Sequence, residues 1–64
     1  HPLLFCPPLG HGQRYVLVRR EWPGSRSALG VGRASSVHES MNLAEVRLRA
    51  ARLGAKEVHL FPAS

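Results

Sequence analysis

SSVHESMNLAEVRLRAARLGAKEVHLF, residues 35–61, decides how this chain folds. It opens on polar residues suited to start a helix, continues in strong helix formers, halts at Gly54 and closes in a short alternating apolar segment. Two helix starts compete. Ser36-Val37-His38-Glu39 has the capping-box pattern, a hydroxyl followed three residues on by a carboxylate. Asn42-Leu43-Ala44-Glu45 repeats it with an amide in the leading position. From Asn42 to Leu53 helix formers dominate. Gly54 supplies the left-handed conformation that closes a helix, and Arg47, Arg49 and Arg52 suit the negative end of its dipole. Lys56–Phe61 (KEVHLF) then alternates as a strand that Pro62 ends.

Upstream, Arg14–Glu21 (RYVLVRRE) is rich in β-branched and aromatic residues and predicts a strand. Pro23-Gly24 suits the central positions of a type II turn, and Ala28–Ser35 (ALGVGRAS) predicts the returning strand. The loop between them leaves the hairpin register open. Residues 1–13 (HPLLFCPPLGHGQ) hold Pro2, Pro7, Pro8, Gly10 and Gly12 and predict an arm, since prolines remove backbone donors and glycines raise backbone entropy. Leu3, Leu4, Phe5 and Leu9 are too apolar for a solvated tail, so the arm either drapes over an apolar surface or marks a segment boundary. The expected architecture is one α+β domain over residues 14–64, a ββαβ unit behind the 1–13 arm. A right-handed crossover through the helix sets the third strand beside the first. That predicts a three-stranded antiparallel sheet of order 2-1-3 with the helix on one face.

The helical period of 3.6 residues sorts the helix into two apolar stripes. Val37, Met41, Ala44, Leu48, Ala51 and Ala55 form one, expected to pack on the sheet. Leu43, Val46, Ala50 and Leu53 form the other, on roughly the opposite side, where only the arm, a second copy of the chain or a different protein could cover them. His38, Glu45, Arg49 and Arg52 lie between the stripes. In the sheet, symmetric pairing about the loop expects Val16, Val18, Leu29 and Val31 on the core face with Val58 and Leu60. Tyr15, Leu17 and Arg19 then share the outer face with Ala28, Gly30, Gly32, Ala34, His59 and Phe61. A slip of one residue would invert that assignment.

Composition bounds the rest. A 64-residue chain buries only about 60% of its unfolded surface, so a lone core is marginal and extra support from a partner is expected. Cys6 is the only cysteine, which rules out an internal disulfide and fits a cytoplasmic or other reducing compartment. His1, His11, His38, His59 and Cys6 have no paired ligand spacing, so neither a metal nor another cofactor is expected. Nine Lys and Arg against four Asp and Glu give a net charge of +5, and arginine's planar fork favours polyanions. Solubility charge is the plainer account of the same excess. No run nears the roughly 18 apolar residues of a membrane span.

Catalytic patterning is missing. Cys6 has no predicted base beside it, and Glu39 and Glu45 do not share a helical face. Gly30-Val31-Gly32-Arg33-Ala34-Ser35 lacks the third glycine of a dinucleotide loop, and its glycines read better as room for a close neighbour. The expectation is a non-enzymatic protein-interaction or self-associating module using Leu43, Val46, Ala50, Leu53 and Trp22, the last either an anchor or a local packing lid. The alternative is a single-stranded RNA or DNA binder, with bases on Tyr15, His59 and Phe61 and phosphates on Arg19, Arg20 and Arg33. Arg52–Val58 (RLGAKEV) resembles the helix-to-strand joint of many nucleotide-binding α/β enzymes, a likeness of capping chemistry that implies no function. The hairpin–helix order is similar to that of the double-stranded RNA-binding domain. That family's lysine pair at the helix start and its alanine spacing are missing here, and a strand follows the helix, so no family is assigned.

Overall fold

The computed structural model describes residues 5–21 and 23–62. Four elements follow in the order β1 (Arg14–Arg20), β2 (Arg26–Arg33), α1 (Glu39–Leu53) and β3 (Glu57–Leu60). The strands form one sheet in the order β2-β1-β3, each neighbour antiparallel. This is the small ββαβ architecture expected. The hairpin turn is closed one residue earlier than a turn centred on Pro23 and Gly24 requires, with Gly24 N–H donating to Glu21 O at 2.7 Å.

The hairpin pairs Tyr15 with Gly32, Val16 with Val31 and Leu17 with Gly30, then slips so that Val18 faces Ala28. Leu29 is therefore the extra residue of a bulge in β2, the kind that bends a strand and increases its twist. On the other side of β1, Tyr15 faces Leu60 and Leu17 faces Val58. Alternation puts Tyr15, Leu17, Gly30, Gly32, Val58 and Leu60 on one side of the sheet. That side carries the helix.

Here the structure reverses two expectations together. Tyr15 and Leu17 are fully buried, while Val31, expected in the core, is 55% exposed. On α1 the buried residues are Asn42, Val46 and Ala50, while Met41 and Leu48 are 60% and 57% exposed, and Val37, in the loop just before the helix, is 71% exposed. The helix thus packs through Val46 and Ala50 of the stripe assigned to a partner and turns outward Met41, Ala44, Leu48 and Ala51 of the stripe assigned to the core. The last member of that second stripe, Ala55, is buried as expected just beyond the helix. Volume explains the choice. A Cβ on Gly30 would stand 3.0 Å from Leu53 Cδ1, and one on Gly32 would stand 2.5 Å from the Tyr15 ring and collide with the Arg49 guanidinium. Only the glycine side of β2 has room for the Tyr15 ring and for a helix above it. Val58 and Leu60 pack against the core as expected, and His59 points away from it.

Asn42 fixes where the helix begins. Its side chain is fully buried yet fully paired: Nδ2 donates to Leu9 O and Ser36 O, and Oδ1 accepts from Ser36 N–H, all at 2.9 Å. It therefore sits one turn inside the helix, where it ties α1 to the preceding loop and to the arm. The N-cap is His38, whose N–H donates to Ser36 Oγ at 3.0 Å. At the other end Gly54 takes φ 75°, and the N–H of Ala55 returns to Ala50 O at 2.9 Å. Of the arm's described residues, Leu9 is buried in the core cluster and Cys6 packs against it, while Phe5 is 84% exposed. Leu3 and Leu4 lie outside the described residues.

Gly32→Ala should destabilise the fold by about 1–3 kcal/mol, because an overpacked methyl group must displace the Tyr15 ring. Gly10→Ala, where a Cβ meets nothing within 4 Å, should be close to neutral. Urea unfolding of the two variants measures the difference, and equal midpoints would contradict this account of the interface.

Candidate functional site

Two layers leave two outer surfaces, one on the helix and one on the sheet. On α1 the exposed Met41 and Leu48 share one line with the exposed Ala44 and Ala51, and Val37 is exposed in the loop just before the N-cap. The three, four and three spacing of Met41, Ala44, Leu48 and Ala51 is that of a coiled-coil seam, narrower than the stripe that meets a sheet. Val46, at the centre of the buried stripe, lies on the far side.

The sheet's outer face is built from cross-strand rows. Arg33 faces Arg14, and beyond them Phe61 bonds through its N–H to Arg14 O at 3.1 Å. The next row is Val31, Val16 and His59, followed by Ala28, Val18 and Glu57, then Arg26 and Arg20. Two arginine pairs therefore stand directly opposite one another, an arrangement that costs stability when nothing neutralises it. One pair carries its own counter-ion. Glu57 takes Arg20 at 2.8 Å and Arg26 at 3.2 Å, and His59 Nε2 lies 2.9 Å from the same carboxylate. The His59 hydrogen bond, with the charges of Arg20 and Arg26, holds the Glu57 carboxyl below the usual glutamate range despite some desolvation. At the other end Arg14 lies over the Phe61 ring, 4.8 Å from its centroid. Among the described residues neither Arg14 nor Arg33 meets a carboxylate.

Several residues selected from sequence are not at either surface. Val46 and Ala50 are core residues, so they cannot meet a partner, and Leu43 is half-buried beside them. Leu53 is part-exposed over Gly30, and Trp22 lies outside the described residues. Tyr15 cannot stack a base, because the helix covers it. Arg19 lies towards the helix side and pairs with Glu21 at 2.8 Å. Arg20, Arg33, His59 and Phe61 do share the outer sheet face, with Arg20 at the Glu57 end and Arg33 and Phe61 at the other. Sequence reasoning missed Arg14, Arg26, Val16 and Val31 there, and Met41 and Leu48 on the helix. The seam spacing and the glycine pair were the available signals.

Beneath the helix, Tyr15 anchors a polar cluster. Its hydroxyl donates to Glu45 Oε2 at 3.0 Å and accepts from Arg49 Nη1 at 2.8 Å, while Ser35 Oγ donates to Glu45 Oε1 at 2.9 Å. Every buried side-chain nitrogen and oxygen among the described residues finds a partner. No group of three His, Cys, Asp or Glu among them could hold a metal ion, and no helix among them is long and apolar enough to cross a membrane.

Burial pushes the Tyr15 hydroxyl above the ordinary tyrosine value; the Glu45 hydrogen bond and charge add to this, and those of Arg49 oppose it. The fold's preference for neutral Tyr15 is therefore intact below the ordinary value and is lost as pH rises through the raised one. Because the chain has a single tyrosine, tyrosinate absorbance reports this group alone. The native protein should titrate above the same protein in urea, and coincident curves would contradict the burial described. Comparison with family models, curated proteins and solved structures finds no match for this chain.

Proposed function

We propose that this chain is a small non-enzymatic protein-interaction module that pairs with a second copy of itself through the outer face of α1. The uncovered Met41–Ala44–Leu48–Ala51 seam carries this reading. Such a seam buries itself best against another helix, and in a chain of 64 residues the area gained supplements a small core. Size alternation along it favours a like partner. Antiparallel helices crossing level with Val46 set Met41 of one copy against Ala51 of the other, and Leu48 against Ala44. Each large side chain then meets an alanine, and the same contacts recur on both sides of a two-fold axis, as an isologous dimer requires. Parallel helices would instead stack Leu48 on Leu48 and leave gaps between alanines.

A net charge of +5 opposes self-association, and salt screens that repulsion, so the pair is retained or tightened as salt rises. Light scattering over a concentration series tests the reading. The wild type should approach twice the chain mass. Leu48→Glu, which removes an apolar contact worth about 1.5–3 kcal/mol from both halves, should weaken pairing at least about a hundredfold. A wild type that stays monomeric at high concentration, or a Leu48→Glu variant that pairs as well, would overturn the proposal.

A further inference from the structure

We infer that the Arg14–Arg33 end of the outer sheet face binds the phosphates of single-stranded nucleic acid. The inference concerns the surface opposite the helix seam and goes beyond the pairing proposed above. It begins from an asymmetry. Two arginine pairs face each other across β1 and β2, yet among the described residues only Arg20 and Arg26 have a carboxylate, Glu57, between them. Opposed like charges weaken a hairpin, so the fold neutralises one pair and leaves the other, Arg14 with Arg33, for an anion from outside.

The surroundings select the anion. The Gly10–Gln13 turn, Arg14, Arg33 and Pro62 line a shallow concavity at this end of the sheet, with His11 exposed on its rim. Two guanidinium forks from adjacent strands suit a tetrahedral phosphate, which accepts bidentate bonds. Next to them the face is partly apolar, with Val16 and Val31 paired across the strands. Phe61 is half-buried, and the Arg14 guanidinium stacks over its ring. An unpaired base can lie on such a platform of valine, arginine plane and aromatic ring. A duplex, whose bases are stacked inside, can use only the charges. Among the described residues this face carries Arg14, Arg20, Arg26 and Arg33 against the single carboxylate of Glu57, the sign a phosphate backbone complements.

Fluorescence anisotropy with short labelled oligo-dT and oligo-U tests the inference. Arg14→Ala/Arg33→Ala should weaken binding at least about tenfold. It should also reduce the slope of log affinity against log salt by about 1.4, two phosphate contacts at roughly 0.7 each. Arg33→Ala alone, which removes a side chain with no hydrogen bond or ion pair among the described residues, should lower the slope by about 0.7 and leave the circular dichroism unchanged. Arg47→Ala/Arg52→Ala deletes the same charge from the helix and should leave binding within about twofold. The same pattern should appear in a Leu48→Glu background, which separates loss of anion binding from loss of pairing. Absent binding, an equal loss in the helix double variant, or equally tight binding of a duplex of the same length would overturn it. Displacement of the oligonucleotide by an equal charge concentration of poly-glutamate would overturn it as well.

Discussion

Everything in this fold depends on the space left by Gly30 and Gly32. A side chain at Gly32 would occupy the place of the Tyr15 ring, and one at Gly30 would press on Leu53. With no Cβ there, one side of β2 is low, and the Tyr15 ring fills part of the hollow while the helix closes the rest. The other side of the strands, lined by Val16, Val18 and Val31, offers no such depression. Close packing therefore outranks hydrophobicity in choosing the face. Once that side is taken, Val46 and Ala50 must point inward, and Asn42 reaches Leu9 and Ser36.

The order of elements, the order of strands and the alternation in β3 were all legible in the residues. Gly54 marked the helix end, and Val58 and Leu60 were read to the core where they lie. What periodicity could not supply was the choice between two faces. It identifies which residues travel together and places Tyr15 with Gly30, Gly32 and Ala34, as the structure does, but also with His59 and Phe61, which the β1–β3 register sets on the opposite face. For Tyr15 and the glycines it points to the wrong side, because valines look more core-like than glycines beside a tyrosine. The helix misled in the same sense. Met41 and Leu48 are larger apolar residues than Val46 and Ala50, and Asn42 resembles a cap when its amide is in fact a buried three-way link. A polar residue on an apolar stripe was the overlooked clue, since a short amide can satisfy itself only where backbone groups converge. Arg14 escaped notice for a different reason: its significance lies in its cross-strand neighbour, which no local pattern reveals.

The two outer surfaces differ in kind. The helix side is a narrow apolar seam, suited to a contact that salt leaves intact. The sheet side is a charged platform whose interactions salt would weaken. Because the core separates them, occupation of one leaves the other free. In the proposed pair the two sheets would face away from each other, and a single long polyanion could engage both platforms, raising avidity through local concentration without any new contact.

The bulge at Leu29 has a consequence for how copies of this chain can meet. β2 and β3 are both sheet borders, with backbone groups that could template further strands into a fibre. The bulge distorts the ladder midway along β2, and that strand begins and ends on an arginine. β3 is only four residues long and is followed closely by Pro62. Neither border gives an incoming strand a long, flat and uncharged rail. Edge-to-edge polymerisation is thereby discouraged, and growth into open-ended aggregates is checked at both rims of the molecule.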